Sequence, residues 1–259
     1  MDTIIFGNGG LGRAIAAALA DRGEPAPRVL GRPAGGAHPR TALAGDEPAG
    51  VVFDASRAEA VAANVEAALA AGARRFVLAT TGWDDDRSRV EHLLRESGGA
   101  AVAAPNLSLG AALFFRLVEA ATDLFGSLEA FDPYLVEWHR RTKADRPSGT
   151  ARELARRLIA RHPRKRRVAE AGLGGPPAAD ELEVAVIRAG ASPGMHLVGF
   201  DAPGETVELR ITARDRSAYA AGALAAADWL VRRPRDPGLH SFDAVVDELL
   251  ARPALVATA

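Results

Sequence analysis

The 259-residue chain carries 32 Lys plus Arg against 33 Asp plus Glu, and 48% of its residues are hydrophobic. This near-neutral balance leaves no global field to recruit nucleic acid or an anionic membrane, so a small-molecule partner is expected. With no cysteine, disulfides, thiolate metal sites and thiol nucleophiles are excluded, and six scattered His residues give no reason to expect a metal.

Thr3 to Phe6 is a short apolar run ending in GNGGLG, and alanines and leucines then recur at helical spacing from Arg13 to Asp21. The reading is strand, glycine turn, helix. No charged leader or cleavage site opens the chain, and no apolar run reaches the roughly 20 residues of a membrane span, so a cytoplasmic protein is expected.

Gly7, Gly9 and Gly12 form G-x-G-x-x-G, with Gly10 and Leu11 completing the turn. The first glycine permits the tight turn, the second lets the backbone approach a pyrophosphate, and the third allows close packing of helix on strand. Phosphates would then meet the N-terminus of the helix. The next strand, Arg28 to Leu30, runs into Gly31 and Arg32 without an acid. An acid there favours NAD and an arginine accepts the 2′-phosphate of NADP. Arg32 therefore points to NADPH, with NADH left open because most arginines are ordinary surface residues.

Further apolar runs at Val51 to Asp54, Phe76 to Ala79 and Ala101 to Ala103 are separated by helical patterns at 58–71 and 86–96. This alternation predicts an α/β fold with a Rossmann-type, doubly wound parallel sheet. The pattern changes after Pro105. Asn106 to Phe125 reads as a long apolar helix, and FDPYLVEWH, LEVAVIRAG, MHLVGF and TVELRITAR alternate like strands of a half-exposed antiparallel sheet. Ala218 to Val231 is helical with no sheet of its own to cover and is expected to return to the first domain. The expected domains are thus 1–105 with 217–259, and 106–216, with hinges near Pro105 and Arg216. The charge run ARHPRKRR, Ala160 to Arg167, lacks aromatic interleaving and reads as a solvated helix end rather than a nucleic-acid patch.

The stretch EWHRRTKADRPSGTA, Glu137 to Ala151, concentrates the chemistry. Thr150 followed by Glu153 reads as a T-x-x-E capping box, which would place the N–H groups of Gly149 and Thr150 where a helix start binds a carboxylate. Singly, a histidine is an ordinary residue and Ser-Gly-Thr an ordinary cap. Their joint spacing, downstream of a dinucleotide turn, favours function.

In this stretch the chain resembles the dihydrodipicolinate reductase family, whose pattern runs E-x-H-H-x-x-K-x-D-x-P-S-G-T-A. Glu137, His139, Lys143, Asp145, Pro147, Ser148, Gly149, Thr150 and Ala151 stand in register with it. Thr80 to Trp83 (TTGW), Asn106 to Gly110 (NLSLG), Arg188 to Gly190 (RAG), and Gly194 with His196 look like further family segments in the family's order. The resemblance implies a Rossmann domain completed by C-terminal helices and a mixed-sheet domain that binds substrate and builds a homotetramer. It implies NAD(P)H-dependent reduction of 4-hydroxy-tetrahydrodipicolinate, a cyclic dicarboxylated imine, in lysine and diaminopimelate biosynthesis. His139 would be the proton donor, with Lys143 a fixed cation that could share the transfer. Arg140, Ser148, Gly149, Thr150 and Arg216 would contact substrate, and Ser56, Ala79, Thr80, Thr81 and Asn106 cofactor.

The chain departs from the family pattern at several places, Thr142 among them, which stands where histidine is common. Arg140 replaces the second histidine, Ala79 replaces the first glycine of the G-T-T-G loop, and the glycine turn is one residue shorter. The Arg140 and Ala79 changes keep open a relative repurposed for another cyclic imine or enamino acid; a non-catalytic dinucleotide-sensing module is a separate alternative, against which the retention of His139 and Lys143 argues.

Overall fold

The computed structural model describes residues 2–31, 43, 48–169 and 175–251. Two compact units emerge: Met1–Leu109 with Arg216–Ala259, and Gly110–Asp215.

In the first unit β1 (Thr3–Phe6), β2 (Arg28–Leu30), β3 (Val51–Asp54), β4 (Arg75–Leu78), β5 (Ala100–Ala103) and β11 (Gly238–Ser241) form a six-stranded sheet in the order β11-β5-β4-β3-β1-β2. Every pairing in it is parallel. The central strands β1, β3 and β5 are buried along their whole length, which is why they read as continuous apolar runs. Strand order reverses on either side of β1, since β2 lies to one side and β3 to the other. Such a reversal opens a crevice beyond the carboxyl ends of the strands, where open α/β sheets bind ligands.

The helices α1 (Gly10–Asp21), α2 (Val61–Ala70) and α3 (Arg87–Glu96) follow strands as crossovers. Helix α6 (Ser217–Arg232) returns to this unit and packs against α1 and β4, as its apolar pattern predicts, and α7 (Phe242–Leu250) follows β11. Leu78, Phe76, Val90, Leu94, Val61 and Val65 are at the centre of one core cluster.

The second unit holds a five-stranded sheet ordered β10-β9-β6-β8-β7. Its strands are β6 (Asp132–His139), β7 (Arg167–Val168), β8 (Glu181–Arg188), β9 (Met195–Ala202) and β10 (Glu205–Thr212). The alternating strands suggested an antiparallel sheet, and β6, β9 and β10 do pair that way. The sheet is nevertheless mixed, because β8 pairs parallel to β6 and to β7. The cause is α5 (Gly149–Arg161), a helix between β6 and β8 that carries the chain back to the starting end of the sheet, as a crossover must. The core on one face joins Phe114, Phe115 and Val118 of α4 (Leu109–Gly126) to Leu154 and Leu158 of α5 and to Leu135, Leu182, Val198 and Phe200 of the sheet. Among the described residues no helix is long and apolar enough to cross a membrane.

Candidate active site

Chemistry-bearing residues gather at one place in each unit. In the first unit, Gly7 has φ +105°, and a Cβ there would stand 2.3 Å from the Ala55 carbonyl oxygen. A Cβ on Gly12 would stand 2.0 Å from the carbonyl oxygen of Gly7. These two glycines are required by the protein's own packing. Gly9 is different, because it is exposed, its backbone is extended, and a Cβ there would meet nothing within 4 Å. A glycine that the protein does not need leaves room for a group from outside, which fits a pyrophosphate against the start of α1. Gly10 is exposed and Leu11 half-buried in the first turn of that helix.

Arg216, expected as a substrate contact, lies in this unit with its side chain against Gly10, where a Cβ would stand 3.1 Å from its Nε. Asn8 stands over Gly31 at the end of β2. Arg32 lies outside the described residues.

Asp54, the last residue of β3, organises the neighbouring loops. Its buried Oδ1 accepts from the Ser56 N–H (3.1 Å), the Ser56 hydroxyl (2.7 Å) and the Thr80 hydroxyl (2.6 Å), while Oδ2 accepts from Asn64 (2.8 Å). Ala79 donates its N–H to the Asp54 carbonyl at 2.8 Å, and Trp83 donates its indole N–H to the Thr80 carbonyl at 2.8 Å. The loop carrying Ala79, Thr80 and exposed Thr81 is thereby tied to the loop carrying Ser56. Asn106 accepts from the Ser108 N–H, closing the turn before α4. Asp54 and Asn64 were not singled out in the sequence, although an acid at a strand end after three apolar residues was visible.

In the second unit the alternation of β6 turns Leu135, Glu137 and His139 to one face, all buried, while Trp138 is exposed on the other. Register then completes the cluster, with His196 of β9 opposite Glu137 and Arg188 of β8 opposite His139. Glu137 Oε1 accepts from the Ser148 N–H at 2.9 Å and from Arg188 Nη2 at 2.8 Å. Its Oε2 lies 3.2 Å from His139 Nδ1 and 3.7 Å from His196 Nε2. The 3.2 Å approach is off line for a hydrogen bond, and neither Oε2 nor Nδ1 has another partner. His196 Nε2 also contacts the Ser148 hydroxyl at 3.2 Å.

Burial by itself would push the Glu137 carboxyl up, but the attraction of nearby His196 and the hydrogen bonds from Ser148 and Arg188 outweigh it and hold the group well below the usual carboxylate range. For His139, burial is the largest influence and exceeds the upward pull of Glu137. His196, Lys143 and Arg188 act in the same direction as burial, and the imidazole is lowered to about 4. It is neutral at pH 7 with the site as it stands.

Ser148 is the N-cap of α5, its hydroxyl accepting from the Ala151 N–H at 3.1 Å. The expected Thr150–Glu153 capping box is not what forms. Thr150 already lies inside the helix, and Glu153 instead binds Arg156 and Arg157. With Ser148 N–H turned to Glu137, Gly149 begins the helix with open space around its Cβ position. Lys143 Nζ pairs with Asp145 at 2.6 Å, and Arg140 is exposed with its N–H on the Ser192 carbonyl.

Glu137, His139 and His196 place ligand-type atoms within 4.8 Å of one another. Arg188 already meets the carboxylate charge that would attract a cation, so the cluster has the chemistry of a proton and hydrogen-bond site.

A six-stranded parallel sheet with a glycine-turn helix start, joined in one chain to a mixed-sheet unit bearing a buried His-carboxylate cluster, is the build of a dinucleotide-dependent oxidoreductase. The family model described as dihydrodipicolinate reductase, C-terminus, matches residues 110–246. A 4-hydroxy-tetrahydrodipicolinate reductase from Methanopyrus kandleri is 39% identical over 196 residues, 75% of this chain and 70% of that one. Another, from Archaeoglobus fulgidus, is 37% identical over 201 residues, 75% of each. The dipicolinate-bound dihydrodipicolinate reductase from Paenisporosarcina sp. TG-14 shares the fold with a TM-score of 0.68 at 17% identity, over 93% of this chain and 97% of that one. The chain belongs to the dihydrodipicolinate reductase family, and it is an oxidoreductase that uses a nicotinamide cofactor.

Proposed function

We propose that the protein reduces 4-hydroxy-tetrahydrodipicolinate to tetrahydrodipicolinate in lysine and diaminopimelate biosynthesis, with the first unit binding NADPH and the second binding substrate. The observation that carries the reading is that one buried carboxylate, Glu137, touches both the His139 ring and the N–H of the cap residue Ser148. An imidazole and an anion-accepting helix start are thus held at fixed spacing. When bound, the dihydronicotinamide supplies hydride. His139 donates the proton that the adjacent carbon of the substrate then requires. Gly149 and Thr150 at the start of α5 receive one substrate carboxylate, and Lys143, drawn from Asp145, holds developing negative charge. Arg140 offers a planar, permanently charged fork to a carboxylate where the family has histidine. Gly7, Gly9, Gly10, Leu11 and Gly12 cradle the cofactor phosphates, Arg32 takes the 2′-phosphate, and Ser56, Ala79, Thr80, Thr81 and Asn106 line the remainder.

The enzyme works in the cytoplasm as a homotetramer built on the open sheet face, where Trp138 and Ile187 are neighbours in register and both exposed. Light scattering on the purified protein tests the assembly. Activity is tested by NADPH oxidation with substrate generated in situ by dihydrodipicolinate synthase from pyruvate and aspartate semialdehyde. Turnover on the order of 10 s⁻¹ is expected, falling roughly 10²- to 10⁴-fold in His139→Gln. Tight NADPH binding without turnover would transfer the reading to another cyclic imine, with Arg140 as the altered contact.

A further inference from the structure

We infer that Glu137 is a positioning residue for the proton transfer, holding His139 as the tautomer protonated at Nδ1 so that Nε2 is the nitrogen that gives the proton to substrate. The inference rests on the reading of His139 as donor and goes beyond it in assigning the roles of the two ring nitrogens and of the carboxylate behind them.

Four observations meet here. Glu137 is fully buried, and its Oε2 has no hydrogen-bond partner while it faces His139 Nδ1 at 3.2 Å. Its other oxygen is fixed by two donors, the Ser148 N–H and Arg188 Nη2, so the carboxylate cannot swing away. Arg188 is itself held by the Asp145 carbonyl at 2.6 Å. At the far side of the ring stands Gly194, with φ +152°, where a Cβ would sit 2.9 Å from Nε2. Any side chain there would crowd the nitrogen, and glycine leaves it clear.

The Oε2–Nδ1 approach makes no hydrogen bond, so the carboxylate acts on the ring through its charge, which favours a proton on the nearer nitrogen, Nδ1, and stabilises the imidazolium without taking the proton itself. The step balances. The carbon beside the newly reduced centre supplies the electron pair, a C–H bond forms as the Nε2–H bond breaks, and the imidazolium becomes neutral imidazole with its proton on Nδ1, to be recharged from water. The groups facing His139 are Glu137 beside it on β6, Arg188 on β8, His196 on β9 and Lys143 on the loop beyond β6. Glu137 is the one anion among them, and the other three oppose its effect on the ring. Binding of a dicarboxylate adds negative charge and favours the imidazolium, so the donor is charged when substrate is present. Glu137 also fixes Ser148 at the start of α5, which makes the anion site and the proton site parts of one rigid arrangement.

The test compares pH profiles of kcat and KM for wild type, His139→Gln and Glu137→Gln, with ¹⁵N-histidine NMR of the wild-type protein with and without dipicolinate. In Glu137→Gln the side-chain amide keeps an acceptor for Ser148 and removes the charge beside Nδ1. The expected result is an alkaline limb of kcat moved to lower pH by about 1 to 3 units, the range for losing an adjacent opposite charge, with substrate KM within about threefold. NMR should show neutral His139 protonated at Nδ1 and a raised pKa when dipicolinate is added. An unmoved limb in Glu137→Gln, or neutral His139 protonated at Nε2 in wild type, overturns the inference. If Glu137→Gln does not fold, the wild-type tautomer decides alone. Full activity in His139→Gln would instead remove the donor reading on which the inference stands.

Discussion

Replacing Asp54 by Asn tests whether the loops after β3 and β4 are held by a buried carboxylate. The change is nearly isosteric, so no cavity forms and packing is conserved. What changes is hydrogen-bond parity. Three donors, the Ser56 N–H and the Ser56 and Thr80 hydroxyls, converge on Oδ1, and Asn64 donates to Oδ2. An amide can keep its oxygen toward the first three, and its NH₂ then faces the Asn64 NH₂ with no acceptor between them. One charge-assisted hydrogen bond is lost, contributing roughly 1.5 to 3 kcal/mol, and the remaining three weaken to neutral ones. A total of about 2 to 4 kcal/mol follows, while the hydrogen bond that Asn64 already donates to the Ser56 hydroxyl at 3.2 Å persists. In a unit of this size that corresponds to a drop in Tm of roughly 5 to 15 °C. The assay is thermal and urea unfolding of the full chain, read beside the KM for NADPH. The KM should rise as the Ser56 and Thr80–Thr81 loops loosen, while substrate KM changes little. A loss below about 1 kcal/mol, or an equal effect on both Michaelis constants, refutes the reasoning.

Gly9→Ala should leave stability within about 0.5 kcal/mol of wild type and yet raise the NADPH KM at least about tenfold, because nothing in the protein occupies the added methyl's place. Gly12→Ala should by contrast cost about 1 to 3 kcal/mol by overpacking, since its Cβ meets Gly7. Differential scanning calorimetry with cofactor titration separates the two, and equal destabilisation would contradict the assignment. Ser148→Ala should lose about 1 kcal/mol as a removed N-cap, whereas Glu153→Ala, whose carboxylate serves Arg156 and Arg157 in this structure, should lose less than half as much. The reverse order would restore Thr150 and Glu153 as the cap. Arg32→Ala should raise KM for NADPH far more than for NADH, and parallel increases would exclude a role at the 2′-phosphate.

Much of this architecture was legible because its signals are local. A buried parallel strand is a continuous apolar run, and the glycine turn carries its own spacing. Strand β11, Gly238–Ser241, escaped notice because GLHS has neither alternation nor a β-branched residue, and only pairing with β5 makes it a strand. The parallel setting of β8 depends on the path of α5, which strand composition does not express. At the site, His139 and Ser148 were visible within fifteen residues of sequence. Arg188 and His196 could be matched to family segments but not to Glu137, because sheet register rather than sequence proximity brings them to its carboxylate. The cap was misplaced for a related reason. Ser148 and Thr150 both offer a hydroxyl near the helix start, and the choice fell to Ser148, whose N–H is already anchored on Glu137.

The return of α6 and β11 to the first unit has a consequence for synthesis on the ribosome. The second unit, Gly110–Asp215, is one uninterrupted stretch and can close its core as soon as it emerges. The first unit must wait. Until the last segment appears, β5 is a bare sheet edge and the surfaces of α1 and β4 that α6 covers face water. The nascent chain therefore completes its mixed-sheet unit before its parallel-sheet unit, and chains that stop short of α6 expose the sticky surface of an unfinished sheet to the quality-control machinery of the cell.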